Sequence, residues 1–547
     1  MVKYQTLVYN HTTTWHDSCV ALLSSKGDII SLAAERVDRK KHSGDSRAAY
    51  EYLKSRFPEE RFGTETDYFK DPNEGLDRTG HHLYHASSVY FASPFDNSGI
   101  LVVDGQGPER GKLVSTTIWK GDKGKLELVE APFLTDSNFA AKSIGHFYTA
   151  IGAMAGMQHL YEEGKTMALA AYGRPSPIMD FIRKYAFSKE DGTYFVNPDF
   201  LYAVLGNTFG QRYYGWKKQL RKIQEIWGEF IKVRGRAPRQ SFEEISQEDM
   251  DTAYAGQSIL EEIVLGLAKR TKELAGSDNL CIGGGVALNG VVNSKIANSG
   301  LFKNVYVFPA SGDDGQALGK LFYNIHDKKI DVDTQTQTAF YGPLYAKKEI
   351  DAVIKKFRKD IKVIGRGDKF VVDEVVDRLS HGEVVGRFSG GSETGPRALG
   401  HRSILADPRK AQMRDYINST VKNREWYRPL APTVLEDESK NFFEMDYHSP
   451  FMLFIGNVIP ERKKDIPSVT HVDGTARVQT VNKTQDPEFY ELIRKFGVKT
   501  KIPVLLNTSF NRRNEPIVES PEQTIEAFTS MDLDALVLED ALIIKRK

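Results

Sequence analysis

Two histidines spaced four apart are the first residues here that could do chemistry together. His81 and His85 lie in GHHLYHASSVYFAS, a stretch that reads as helix. Four helical steps of about 100° bring a side chain back to within about 40° of its start, so both imidazoles can face one ion. Asp104 ends the apolar strand GILVVD, and Asp313 opens a Gly-rich turn in ASGDDGQALGK. Two imidazoles and two carboxylates suit Fe(II), Mn(II) or Zn(II) and are less thiophilic than a cysteine site. Taken singly, each has an ordinary reading: a histidine pair on a packed helix, aspartates in turns. Convergence is expected because each lies at a strand end or a loop-to-helix junction. No role is assigned to His82.

Glycine turns form the second group. GGGVALNG, Gly283 to Gly290, follows a strand and opens a helix. Gly284 and Gly285 there let backbone N–H groups approach an anion or a nucleotide ring, with Asn289 beside them. GDDGQALG repeats the logic, and EEGKTMALAAYG puts Lys165 on a helix-opening turn. No G-x-x-x-x-G-K-[ST] occurs, so this is not a Walker-type NTPase. One such turn is usually packing; several in one chain point to nucleotide binding.

A third group is cationic. SGGSETGPRALGHRSILADPR carries Arg397, His401 and Arg402; VKNREWYRPLAP carries Lys422, Arg424 and Arg428; THVDGTARVQ carries His471 and Arg477. LLNTSFNRRNEPIV places Asn507, Ser509 and Asn511 after a strand. Surface salt bridges are the plain alternative. The arginines, however, are embedded in Gly, Pro, Ser and Ala rather than in charge runs, which suits recognition of small phosphorylated ligands.

Elements must position these groups. QTLVYN reads as a strand, and SCVALLSS and IISLAAER flank a Lys26-Gly27-Asp28 turn. The pattern recurs: GILVVD is a strand, GQGPERGK a polar loop, and VSTTIWK and LELVE flank a turn at Gly121 to Gly124. Two hairpins with polar loops can grip phosphates from both sides, the layout of the actin and sugar-kinase fold. Helical patterns dominate 136–330, the longest being EEISQEDMDTAYAGQSILEEIVLGLAKRTKELAG. HDKKIDVDTQTQT reads as a linker, and from about Tyr341 helices mix with short strands such as EVVGRF, IPVLLN and ALVLED.

A length of 547 residues implies two domains or three. The net charge of +1 predicts no general attraction to nucleic acid or anionic membranes. Cys19 and Cys281 sit in apolar strand-like contexts and read as buried small side chains. The N-terminus lacks a basic-then-apolar leader, and no apolar run approaches the roughly 20 residues of a bilayer span. A cytoplasmic protein is expected. Segment 211–240 has nine Lys or Arg against two Glu, with Tyr213, Tyr214, Trp216 and Trp227 interleaved. That suits an acceptor pocket, a nucleic-acid surface or a solvated basic helix face.

Read in order, HDS, HHLYHA, VVDGQG, EEGKTMALAAYG, GGGVALN, SGDDGQALG, GPRALGHRS, REWYRPLAP, HVDGTARVQ and NTSFN resemble the carbamoyltransferases of the nodulation and cephamycin type, a family that includes the tobramycin-carbamoylating enzyme. The resemblance spans nearly the whole chain. It implies an α/β protein with an N-terminal actin/sugar-kinase-like, duplicated, metal-binding domain (1–338) and a C-terminal YrdC-like α/β domain (339–547). It implies that the second forms carbamoyl-adenylate from carbamoyl phosphate and ATP, releasing phosphate and pyrophosphate, and that the first passes the carbamoyl group to an acceptor hydroxyl. By motif, His81, His85, Asp104 and Asp313 become ligands of Fe(II) or another divalent metal. Arg397, Lys422, Arg428, Arg477 and Ser509 become the grip on carbamoyl phosphate and ATP, with Asn507 beside it and Mg(II) accompanying the nucleotide. His16 becomes an acid or base near the acceptor, beside an HTTT loop that is variable in the family and shapes the pocket. A small natural product or sugar is the expected acceptor. A hydroxymethylated base in nucleic acid, and an actin-like kinase or ATPase, are the alternatives.

Overall fold

The computed structural model describes residues 4, 6–11, 16–62, 80–110, 112–131, 142–157, 162–205, 220–239, 243–335 and 337–546. It is a mixed α/β structure that divides into two compact units, Met1–Leu76 with Asp313–Lys547, and Asp77–Gly312. Tyr213, Tyr214 and Trp216 of the basic segment lie outside the described residues.

The Asp77–Gly312 unit is built on a five-stranded sheet in the order Asn304–Val307, Asn279–Gly283, Asn97–Glu109, Lys112–Asp122, Lys125–Glu130. The first three strands are parallel and the last two add as antiparallel hairpins. Lys123 (φ +48°) and Gly124 (φ +76°) make the two-residue turn between Asp122 and Lys125, a left-handed pair that matches strand twist. The strand expected to end at Asp104 continues to Glu109. Its register breaks between Val103 and Gly107 and then resumes opposite Val114. Much of the expected GQGPERGK loop is therefore strand: the partner keeps running, and glycines absorb the irregularity. The long helix is Gln247–Ala275. Ser246 and Asp249 form a capping box at its start, and Gly276 ends it in the left-handed conformation.

The other unit opens with an antiparallel meander, Leu7–His11, Cys19–Leu23 and Ile29–Ala33, as the sequence implies. Its C-terminal part is a ten-stranded mixed sheet. Val385–Phe388, Arg402–Ala406, Val504–Ser509, Ala431–Leu435 and Thr475–Val481 are successive neighbours within it. Period-two alternation sorts the side chains: Ile404, Val434 and Leu506 enter one core, while Leu405, Leu435 and Leu505 enter the other with Phe489 and Phe496.

The N-terminal segment is fastened to this sheet region within the unit. Ser31 N–H donates to Tyr341 O (2.7 Å), and the Arg36 Nη2 group donates to Gly395 O (2.9 Å). Arg39, at φ +61° after the short helix Ala34–Asp38, donates to Ile517 O and Pro516 O, both at 2.7 Å. Removing those two bonds with Arg39→Met is expected to cost about 2 kcal/mol, read as a lower urea midpoint. An unchanged midpoint would show that water replaces them at no cost.

Candidate active site

In the Asp77–Gly312 unit, helix His81–Ala92 presents two imidazoles to a carboxylate on strand Asn97–Glu109. His81 Nε2 is 3.2 Å from Asp104 Oδ2 and 3.2 Å from His85 Nε2, and His85 Nε2 is 3.8 Å from the same carboxylate oxygen. The second carboxylate oxygen of Asp104 accepts from Gly285 N–H at 2.9 Å, which fixes its plane. Metal–donor bonds of about 2.1 Å put neighbouring donors about 3.0 to 3.4 Å apart; the two 3.2 Å separations lie in that range and the 3.8 Å one is wider. Gly107 is part of the fit. A Cβ there would lie 2.0 Å from the His81 ring, so the absent side chain is the space that ring uses.

His82 turns away and meets Thr117 Oγ1 at 2.9 Å. Glu109, not anticipated from sequence, accepts from Leu83 N–H at 3.0 Å and so caps the first turn of the histidine helix. Burial pushes its carboxyl up to about 7 against the pull of that bond.

The other candidates of this unit are placed differently. Gly284 sits at φ +86°, where a Cβ would lie 2.3 Å from Val103 O. Asn289 caps helix Gly290–Ala297 and binds Gln257 Oε1 at 2.9 Å. Lys165 Nζ is 2.5 Å from Glu162 Oε1.

Asp313 begins the second segment of the other unit, where it is buried and opens the 3-10 turn Asp313–Gly315. His16 Nδ1 is 3.9 Å from its Oδ2. His16 also meets Asp17 Oδ2 at 3.1 Å, and His42 Nδ1 meets Asp17 Oδ1 at 2.9 Å. Burial pushes the Asp17 carboxyl up, but the two histidine bonds outweigh it and hold it near 2. Glu35 joins by accepting from His42 N–H at 2.8 Å. Sequence reasoning found His16 but missed Asp17, Glu35 and His42, which only the folded meander and the turn after it bring together.

The cationic residues do gather. Arg397, Lys422, Arg424, Arg428 and Arg477 act on one another electrostatically. Burial first, and then the neighbouring cations, bring Arg397 down to about 10 and Arg424 to about 9. The same causes hold Lys422 and Arg477 well below their usual ranges. A guanidinium does not shed its proton near neutrality, so the shift reflects desolvation first and the neighbouring like charges second. Glu425 offsets Arg428 at 3.5 Å, and Asp314 offsets Arg397 in part. Lys422 Nζ donates to Ser509 O, Asn511 O and Asn511 Oδ1, each at 2.7 Å.

The sheet sets the spacing of this cluster. Asn507 and Ser509 lie opposite Leu405 and Ser403, and Arg477 is on the strand one further along, beyond Ala431–Leu435. Asn507 donates to Gln479 Oε1 at 3.0 Å. Its buried Oδ1 and the Nε of Arg477 have no hydrogen-bond partner among the described residues. Glu393 Oε1 accepts from Leu399, His401 and Arg402 N–H at 2.7, 2.9 and 3.1 Å and so shapes the loop that carries Arg397. Arg402 and His401 stand in the framework. Arg402 binds Ser389 O and Gly390 O under the Phe388 ring, and His401 stacks on Phe340 at 3.6 Å with Asp486 at 3.3 Å. His471 lies 3.6 Å from Asp473.

Comparison with known proteins follows these two regions. The family model for the carbamoyltransferase N-terminus matches residues 64–321, and that for the carbamoyltransferase C-terminus matches 376–545. The nodulation protein NolO of Bradyrhizobium diazoefficiens is 33% identical over 472 residues, 85% of this chain and 79% of that protein. The 3'-hydroxymethylcephem-O-carbamoyltransferase of Streptomyces clavuligerus is 28% identical over 466 residues, 82% of this chain and 80% of that protein. Full-length HypF, solved in a phosphate- and nucleotide-bound form, matches with a TM-score of 0.34 at 14% identity, over 61% of this chain and 57% of that one.

Two outcomes are expected. Gly107→Ala should displace the His81 ring and cut bound divalent metal, measured by elemental analysis, at least tenfold while the circular dichroism stays that of the parent. Metal content equal to the parent would mean that the ring does not ligate. Inorganic phosphate should raise the unfolding temperature. Arg477→Met should abolish that rise and yet raise the phosphate-free value, because it removes a like charge from the cluster.

Proposed function

Because the chain belongs to the carbamoyltransferase family, we propose that it moves a carbamoyl group from carbamoyl phosphate, with ATP, onto the hydroxyl of an acceptor. The observation that carries this reading is the gathering of five cations, Lys422 buried and Arg397, Arg424, Arg428 and Arg477 half-buried, on the region matched by the C-terminal family model. Such a cluster needs an anion, and carbamoyl phosphate and ATP both supply phosphate oxygens.

In this reading residues 339–547 form a YrdC-like domain that makes the activated donor. Water and carbamoyl phosphate give carbamate and phosphate. A carbamate oxygen then attacks the α-phosphorus of ATP, the α–β phosphoanhydride bond breaks, and pyrophosphate leaves as carbamoyl-adenylate forms. Arg397, Lys422, Arg428 and Arg477, with Ser509 and Asn507, stabilise the charge that develops on the departing phosphate oxygens. The three oxygens around the Lys422 ammonium hold it at one position, so little reorganisation is needed when the charge forms.

Residues 1–338 form the actin-like transfer domain. There the acceptor oxygen attacks the carbamoyl carbon, the bond to the adenylate oxygen breaks, and AMP leaves. The acceptor proton must go to a base, and His16 takes that part: its Nδ1 lies 3.1 Å from Asp17, which orients the ring and stabilises the imidazolium. His81, His85 and Asp104 would hold a divalent metal, Fe(II) in the family reading, which by motif also makes Asp313 a ligand, and a bound ion would supply Lewis-acid charge toward phosphate oxygens. Lys165, Gly284, Gly285 and Asn289 serve the nucleotide through backbone and turn geometry. The acceptor is a hydroxyl compound, and a small natural product or sugar fits best.

The test is pyrophosphate release from the purified protein with ATP, with and without carbamoyl phosphate and no acceptor. Release should depend on carbamoyl phosphate and fall by about 100-fold or more in Arg397→Ala. His16→Asn should keep that release and lose transfer to an added alcohol. Release indifferent to carbamoyl phosphate would remove the donor assignment, and equal loss of both half-reactions in His16→Asn would remove the base.

A further inference from the structure

The cationic loop hangs from one amide. Ile417–Val421 is a π-helical turn, a rare form that often marks functional positions. Lys422 N–H closes it by donating to Ile417 O at 2.8 Å. Asn418, 2% exposed, stands inside the turn. Its backbone carbonyl accepts from Arg424 N–H at 2.8 Å, and its Oδ1 accepts from Arg424 Nε at 2.8 Å. Its Nδ2 donates to Arg428 O at 2.9 Å and to Trp426 O at 3.3 Å. One side chain therefore uses its acceptor and both of its donor hydrogens on the segment that contains Arg424, Trp426 and Arg428.

Tyr427, 1% exposed, and the Arg428–Glu425 pair at 3.5 Å also shape the segment. Asn423 takes φ +43°, which turns the chain sharply between Lys422 and Arg424. Arg424 adds a longer contact to Pro429 O at 3.4 Å. Extra helical residues of this kind let a helix end turn a carbonyl or an amide inward instead of continuing its ladder. We propose that Asn418 is the positioning residue of the anion site: it fixes Arg424 and Arg428 against their mutual repulsion so that both charges face one anion together with Lys422. The proposal rests on the reading of this cluster as an anion site. It adds a residue that touches no ligand itself.

The geometry makes a particular demand. Arg424 and Arg428 repel each other: the Arg428 charge lowers Arg424's hold on its proton, and both charges lower those of Lys422 and Arg477. Without a clamp, relaxation would move them apart and toward water. Asn418 opposes that by tying Arg424 through its guanidinium and Arg428 through its backbone. A leucine of similar volume cannot make either tie, and a glutamine keeps both donor and acceptor but reaches one methylene too far.

The experiment uses the full-length protein and inorganic phosphate as probe, with titration calorimetry and pyrophosphate release as readouts. Asn418→Leu and Asn418→Gln should each weaken phosphate binding at least tenfold. Each should raise KM for carbamoyl phosphate by a similar factor with a smaller change in kcat. Asn418→Gln retains the hydrogen-bonding groups and decides the matter if the leucine variant does not fold. A glutamine variant with a lowered unfolding midpoint but parental phosphate affinity would make Asn418 a stabilising residue only and overturn the proposal. Phosphate affinity within twofold of the parent in both variants would overturn it too. Failure of the parent protein itself to bind phosphate would strike the anion-site reading instead.

Discussion

Positive charge gathered partly out of water is the constraint on which the Met1–Leu76 and Asp313–Lys547 unit depends. Burial first, and then the neighbouring cations, lower the proton affinity of Lys422, Arg424, Arg397 and Arg477, so the fold carries their repulsion. Much of the local structure opposes it. Backbone and amide oxygens surround the Lys422 ammonium, Glu393 gathers the amides of the Arg397 loop, and Asn418 ties the loop between them. Strain retained at a site must be offset elsewhere, and here a ten-stranded sheet with a core on each face supplies the offset.

The Asp77–Gly312 unit solves a different problem with the same economy of parts. Two imidazole nitrogens 3.2 Å apart cannot both be protonated without repulsion, and a carboxylate oxygen 3.2 Å from one of them adds a negative charge to the pair. The arrangement suits a divalent cation. Its precision comes from neighbours that do no chemistry: a missing side chain at Gly107, one backbone amide at Gly285, and a buried carboxyl at Glu109 that caps the helix.

What was legible in the sequence follows from distance along the chain. The four-residue spacing of His81 and His85 survives into the fold because a helix converts spacing into direction, and Asp104 was found because it closes a local apolar run, although the strand itself continues to Glu109. The cations were found by their company of small residues. Asp17 with His42, Glu109 with Leu83, and Gly107 with His81 were hidden, since each pair meets only after a hairpin or sheet has formed. The strand through Gly105 and Gly107 was read as loop because glycine marks both turns and bulges, and only the partner strand tells them apart. Asn418 carried no local signal at all: an asparagine near a helix end is commonplace until the π-turn points its amide inward.

Net charge would not have located the site. The chain as a whole carries only +1, and the basic helix Leu220–Arg234 is largely spoken for: Lys222 pairs with Asp199, Arg221 with Glu225, and Arg234 is buried against Asp249. Exposed pairs of this sort hold little field beyond about a Debye length, because salt screens them. The concentrated charge lies instead in side chains drawn out of water, where screening is weak and the number of oxygens that can be met is small. Burial therefore raises the energetic stake of each charge and at the same time narrows the class of ligand that can relieve it, which is why the location of the arginines says more about function than their number.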